Sequence, residues 1–541
     1  MSRTDIFRRY LDCILKSAVG KYATLFFGCV LFHLVGTWSL PLIDRDEPRF
    51  AEASREMIQR ADYVIPYFNN RLRLDKPPLT YWAQVTSYRI FGESDFSARF
   101  PSAIAAALIA LVIFGWGRRS DSARVGWWAA IIFTLSLQTF VHAKAAVADM
   151  WLVLFMTLAY WAGYELICGR QTPNSDKSRA GAQRPTSNIQ RRWWWLAFYL
   201  SLALGFLAKG PIAWMPLLTV GATITRTRDW QIGRNFKFLR GILLMLAVVA
   251  VWGIPALIQT HGEFFVIGIG RHVVSRSLAT MEGHGASSFG MYLLLLPFYF
   301  ITIFVSFFPW SIKLPWLIHK LWGQKKAWII RLRQPASAQG PRDSKGYGGQ
   351  ADPGYSGSKI DSYLITGIAI IFVTFTLVAT KLPHYTLPAF PLLALLLARH
   401  WQGAAAIKSH GSLFRTIAIS AACVWIAIAL VVPPLVARFF PAYQLFQESR
   451  ANLQPSMRFA SVEFEEPSVV WYFRSRVQSF LTRINKKNVV DFMSKPGPRF
   501  VIVPTSLVQT LFPNHPQTWR SRGFNIAKGK QVDLTLVLKS E

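Results

Sequence analysis

The sequence is poor in cysteine and in acid. Its four cysteines, Cys13, Cys29, Cys168 and Cys423, fall in or beside apolar runs, and three lie inside candidate membrane spans, which argues against a disulfide framework. No C-x-x-C spacing exists, so no cysteine metal motif is present. Asp and Glu number 28 against 60 Lys and Arg, a formal net charge of +32. The excess forms no single basic patch, which argues against nucleic acid as a partner. It recurs in the gaps between apolar runs, as positive-inside loops do, and anionic membrane lipid is its expected electrostatic partner. The first apolar run has no small-residue cleavage site after it and reads as a retained span, not a signal peptide.

What the chain does have is apolar length. Of its 541 residues, 52% are hydrophobic and 14% aromatic, and mean hydropathy is +0.27. A helix crossing a bilayer needs about 20 apolar residues. Candidate spans fall at 21–43, 97–116, 124–142, 149–168, 193–209, 211–226, 239–258, 288–310, 361–380, 384–400 and 412–435. Lys209-Gly210-Pro211 separates two short ones as a tight outer turn. With the N-terminus inside, every strongly basic loop falls on the same side, which supports eleven spans. The outer side then holds loops 44–96 and 259–287, a short turn at 143–148, and the tail from 436. The inner loop 331–360 is rich in Gly, Ser and Pro and reads as disordered. The tail 436–541 alternates short strand and helix patterns, expected as a small soluble α/β domain with its own core. Residues 1–435 form the membrane domain.

The outer loops carry the chemistry. In DRDEPRFAEASREM, Pro48 suits a first helical turn with Asp46 or Glu47 at the cap. Phe50, Ala53, Met57 and Ile58 share one face, predicting an amphipathic helix on the membrane surface. Glu52, Arg55 and Glu56 then read as its solvated face. Asp46 and Glu47 sit where the chain leaves the bilayer. Lys76, in Asp75-Lys76-Pro77-Pro78, suits a lipid phosphate as a point charge with three donors; an interfacial lysine beside aromatics is the alternative. Asp149 opens the fourth span, where a carboxylate is costly and usually functional, or caps the helix. His261, His272 and His284 lie in the third outer loop as ligands or proton carriers. Lys381, His384 and Tyr385 mark another outer turn.

These stretches resemble one known family. DRDEPRFAEASREM, followed by VIPYFNNRLRLDKPPLTYW, is similar to the first outer loop of the membrane glycosyltransferases related to lipid A aminoarabinose transferase and, more distantly, protein O-mannosyltransferases. AKAAVADMWLVLF, GFLAKGPIAW, RHVVSRS, GHGASSFGMYL and KLPHYTLPAFPLLALL follow in the family's order, so the likeness runs over about residues 20–400. It implies a polytopic α-helical membrane protein, GT-C-like, with about eleven transmembrane helices and a C-terminal periplasmic α/β domain. It implies transfer of a sugar from a polyprenyl-phosphate donor to a lipid or glycolipid acceptor, lipid A or a lipopolysaccharide component, at the periplasmic face of the bacterial inner membrane. Carried over by residue, Asp46 is the catalytic carboxylate and Asp149 the second acidic residue. Lys76 binds the donor phosphate, with Arg49 as a nearby cation, and Glu47, Lys381 and Tyr385 contact substrate. No organic cofactor is implied. A divalent metal ion is implied at Asp75, which stands where the family has Glu, and His272. A protein O-mannosyltransferase-like enzyme would differ in acceptor. A lipid transporter or flippase would need buried mid-span charges or two repeated halves of broken helices. No halves repeat, and the acids sit at span ends.

The charge distribution has a direct test. Reporter fusions after Arg192 and Lys326 should read cytoplasmic, and fusions at Asn70 and Asn452 periplasmic. A periplasmic signal at Lys326 breaks the eleven-span arrangement.

Overall fold

The computed structural model describes residues 17–168, 188–268, 270, 289–333, 353–404, 408–513, 517–526 and 528–540. His272 and His284, most of the third outer loop, Cys13 and most of the inner loop 331–360 lie outside the described residues. Among the described residues, five helices are long and apolar enough to cross a membrane: Asp95–Ser120, Asp149–Cys168, Trp230–Gln259, Lys359–Leu377 and Gly411–Ala437. A bent pair, Phe298–Ser306 with Trp310–Gly323 at 118°, makes a sixth by the same measure. The remaining expected segments are helical: 193–209 lies within the continuous helix Asn188–Lys209, and the others are shorter or broken. The first stops at Leu34, where Gly36 takes a left-handed φ of 78° against the Ala429 carbonyl. The third divides at Ser136 into Ala123–Leu135 and Leu137–His142. The eighth expected span, 288–310, is displaced along the chain. Pro297 and Pro309 bracket helix Phe298–Ser306, and the apolar path continues through Trp310–Gly323.

Helix Asp95–Ser120 is the centre of the bundle. Ser94 and Ser97 start it with a reciprocal capping box. Its Gly117 lies against Gly126 of helix Ala123–Leu135, where a Cβ on either would collide with the other helix's backbone. The first span, Asp149–Cys168 and Phe390–Ala404 pack around this pair in one continuous apolar core that includes Phe114, Trp116, Tyr160 and Trp310.

The first outer loop folds as helix Asp46–Arg60, a hairpin of β1 (Tyr67–Phe68) and β2 (Arg71–Leu72), and helix Leu79–Phe91. Asn69 and Asn70, with φ of 51° and 61°, supply the left-handed pair of the hairpin turn. Phe50, Ala53 and Met57 do share a face, but it packs on Tyr81, Val85 and Ala148 instead of lying on a bilayer.

The tail is a mixed five-stranded sheet: β3 (Arg458–Ser461), β4 (Thr482–Arg483), β5 (Arg499–Pro504), β6 (Thr518–Asn525) and β7 (Lys530–Lys539), in the order β4-β3-β5-β7-β6. β3 pairs in parallel with β4 and β5, and β7 pairs antiparallel with β5 and β6. Alternation along β5 divides the sheet's two faces. Val501 and Val503 meet Val489, Phe492 and Met493 in a small core of the tail's own. Phe500 and Ile502 face the other way, into a cluster that also takes Leu42, Ala51, Tyr88 and Ala98 from the membrane domain. The tail therefore completes its larger core with residues some 400 positions earlier.

This docking overturns the expectation that Glu52, Arg55 and Glu56 are solvated. All three are at most 2% exposed. Arg55 donates to Glu52 at 2.6 Å, to Glu93 at 2.6 Å and to the Trp471 carbonyl at 2.8 Å, and stacks on the Trp471 ring. Arg474 of the tail bonds Glu52, Glu56 and Gln59. Leu42 N–H donates to Tyr472 Oη at 2.8 Å, Trp471 and Tyr472 donate to Asp95, and Asn69 exchanges two bonds with the Leu481 backbone. The helix's charged face is matched by partners that no local reading could supply.

Arg474→Met should test the dock. Removing one partner of a buried ion pair costs about 3–5 kcal/mol, so thermal unfolding in detergent should drop and protease should cut between Ala437 and Pro441. An unchanged melting curve and cutting pattern would mean that this network carries no docking energy. Asp44 gives a pH test. It accepts from Ser468 N–H at 2.8 Å and Ser468 Oγ, and burial pushes its carboxyl up to about 7 against those bonds. Between about pH 4 and 7 the folded chain then holds a proton that the unfolded chain has released, so stability falls as pH rises through that window. Asp44→Asn should flatten that part of the melting-temperature profile. An identical slope in the variant would exclude Asp44 as its source.

Candidate active site

The site begins with a buried ion pair. Glu47, in the first turn of helix Asp46–Arg60, accepts from Arg99 Nε at 2.9 Å and Arg99 Nη2 at 2.7 Å. Its two oxygens also accept from Ala146 N–H and Ile43 N–H, each at 2.7 Å. Arg99 gives its remaining protons to the carbonyls of Thr37, Leu40 and Pro41. Glu47, expected to contact substrate, is thus committed to the protein on both oxygens. It fixes how the first-loop helix leaves the membrane segment, and that sets Asp46.

Asp46 itself is exposed, and Arg49, one turn on, is half-buried. Asp46 lies within electrostatic reach of Arg73 and Tyr81. Arg73 is buried, donates through Nε to Tyr81 Oη at 2.9 Å, pairs with Asp75 at 3.2 Å and sits over the Phe50 ring. Lys76 follows Asp75, half-buried, in the loop leading into helix Leu79–Phe91. So Asp46, Arg49, Asp75 and Lys76 belong to one hydrophobically anchored loop with a guanidinium beneath it.

Asp149 opens helix Asp149–Cys168 directly after Ala148, which shares the buried cluster of Phe50 and Tyr81. The first loop and the second acidic residue are thereby joined through one contact surface. Asp149 Oδ1 accepts from Lys209 Nζ at 2.6 Å. Lys209 ends helix Asn188–Lys209, and its Nζ lies 5.9 Å from the centre of the Tyr385 ring. His142 and His384 complete the surroundings, their rings 5.1 Å apart. Lys381, expected to bind substrate, turns inward and donates to the carbonyls of Phe375 at 3.2 Å and Thr376 at 2.5 Å, near the C-terminus of helix Pro353–Leu377. It serves that helix end.

His272 lies outside the described residues, and Asp75 already faces the Arg73 guanidinium. Sequence reading did not assign Arg73, Arg99, Lys209 or His142. Lys209 had a signal, a lysine in an outer turn between two short spans. Arg99 had none, because its partner is 52 positions away. Chemically, the site offers an exposed carboxylate beside cations at one end and a charge-paired carboxylate beside two imidazoles at the other.

A family model described as dolichyl-phosphate-mannose-protein mannosyltransferase matches residues 34–264. An uncharacterized protein of Aquifex aeolicus is 30% identical over 235 residues, 43% of this chain and 49% of that one. The undecaprenyl phosphate-alpha-4-amino-4-deoxy-L-arabinose arabinosyl transferase of Edwardsiella ictaluri is 25% identical over 381 residues, 69% of this chain and 58% of that one. The chain thus spans about half to three fifths of these relatives' length. The crystal structure of ArnT from Cupriavidus metallidurans, bound to undecaprenyl phosphate, superposes with a TM-score of 0.67 over 96% of this chain and 98% of that one, at 18% identity. That likeness is one of fold, and it includes the tail. The chain is thus similar in fold, along nearly its whole length, to ArnT, and similar in sequence over residues 34–264 to the mannosyltransferase family model.

Proposed function

We propose that the chain transfers a sugar from a polyprenyl-phosphate donor to a glycolipid acceptor, lipid A or a lipopolysaccharide component, at the periplasmic face of the bacterial inner membrane. The observation that carries this reading is the convergence of Asp46, Arg49 and Lys76 on one outer loop, joined to Asp149 through Ala148, in a fold shared with an undecaprenyl-phosphate-bound transferase. Asp46 is exposed at the first turn of its helix and takes the proton of the acceptor hydroxyl. The leaving group is a lipid phosphate, whose developing charge calls for cations and not for an acid. Arg49 and Lys76 supply them. Attack opposite the leaving phosphate inverts the anomeric centre. The Asp149–Lys209 pair fixes the far wall, with Tyr385 beside it for substrate contact. The mannosyltransferase family model favours a second reading, the same donor chemistry with a protein hydroxyl as acceptor.

Two measurements test this. Mass spectrometry of a deletion strain should show one glycolipid without its sugar while the polyprenyl-linked donor accumulates. Loss of sugar from a protein instead selects the second reading, and no change in either removes both. Asp46→Asn, matched to wild type in melting temperature, should lose about 10²–10⁴ in single-turnover rate, the usual worth of a general base. Equal rates would remove Asp46 from the chemistry.

A further inference from the structure

The proposed transfer leaves two imidazoles at the outer mouth unused. His142 ends helix Leu137–His142, Asp149 begins helix Asp149–Cys168, and His384 lies in the 3-10 segment Pro383–Ala389. Two segments adjacent in sequence and a third more than 230 positions on each bring one ligand atom to within 4.8 Å of the others. The two rings are tilted by 38° with centroids 5.1 Å apart. Donors bound at about 2.0–2.2 Å to a tetrahedral ion lie roughly 3.3–3.6 Å from one another, so a side-chain adjustment on the order of 1 Å closes the shell. His142 is braced from behind: the Gln138 carbonyl oxygen lies 3.2 Å and the Gln138 side-chain amide 3.1 Å from its Nδ1. A metal-ligating histidine is ordinarily held at its other nitrogen in this way. Asp149 gives Oδ1 to Lys209, which leaves Oδ2 for an ion. Asp149 is 9% exposed and both histidines are half-buried, so the cluster is walled by protein yet open on one side.

We infer that His142, Asp149 and His384 form a binding site for a first-row divalent transition ion of the zinc class. Two imidazoles and one carboxylate are a donor set that such an ion accepts with a coordination position left open. The site is distinct from Asp75 and His272. It does not rest on the sugar-transfer reading, because donor geometry alone carries it. Lys209 competes with the ion for Asp149, which gives the inference its own signature.

The experiment uses the full chain in detergent, stripped with chelator and titrated with Co²⁺, then with competing Zn²⁺, bound metal being quantified by elemental analysis. One equivalent should bind, with the visible absorption of a cobalt–imidazole site. His142→Gln and His384→Gln should each weaken Zn²⁺ binding at least about 100-fold, since even loss of a group that only holds a ligating side chain in place costs about 10–100-fold. Their metal-free melting temperatures should match wild type. If either variant fails to fold, Asp149→Asn, equal in size, should show the same loss. Lys209→Met should bind Zn²⁺ more tightly than wild type. His272→Gln should retain the metal. The inference is overturned by the absence of stoichiometric binding. It is equally overturned by binding that His272→Gln abolishes while His142→Gln and His384→Gln keep it.

Discussion

The Glu47–Arg99 pair is the interaction on which the outer half of the molecule depends. It is buried, doubly hydrogen-bonded, and saturated by two backbone N–H groups and three carbonyls. A buried pair of this kind is favourable only when the remaining donors and acceptors are satisfied, and here they are. Its geometric effect exceeds its energetic one. The exit of the first span, the start of helix Asp46–Arg60, the turn before Asp149 and the head of Asp95–Ser120 all meet at one carboxylate and one guanidinium. Every candidate reacting group on the first loop inherits its position from that junction.

A second layer of charge closes over the first. Arg55, Glu52, Glu56 and Arg474 form a network between the first loop and the tail, with Trp471 stacked on Arg55. Helix Asp46–Arg60 is consequently clasped on both faces, apolar against Tyr81 and Val85 and ionic against the tail. Lys144 adds a similar device nearby. Its Nζ donates to the carbonyls of Phe32, His33 and Val35, closing the end of the first span, and burial pulls its ammonium down to about 7. This part of the protein is held together by charges that water scarcely reaches, an arrangement that keeps the first loop rigid.

Much of this was legible in the sequence where the signal is local. Apolar runs located helices at each expected segment, because twenty apolar residues have few other stable forms in lipid. Asp46 and Asp149 stood out because polar groups at span ends are costly and few, and Lys76 because its point charge in the first outer loop suits a phosphate. What stayed hidden was pairing at long range. Glu52 and Arg55 have the helical spacing of a solvated face, and only Arg474, 422 positions on, makes them interior. Arg99 sits at the head of an apolar helix, and nothing local marks it before Glu47 is placed beside it. Lys381 reads as a substrate ligand until the carbonyls of Phe375 and Thr376 are found in front of it. Span ends were displaced where Gly36, Ser136 and Pro309 interrupt helices that hydropathy alone would continue.

The shared core of tail and first loop also orders events in the making of the protein. Helix Asp46–Arg60 is synthesised before the tail, carrying Glu52 and Glu56 without Arg474. Arg474 and Trp471 follow more than 400 residues later. Until the tail has docked, the loop bearing Asp46 and Lys76 has one face uncovered. A chain that stops before Trp471 and Arg474 leaves the ionic face of this helix unmatched, so the finished form of the first loop records that the tail has been made and docked.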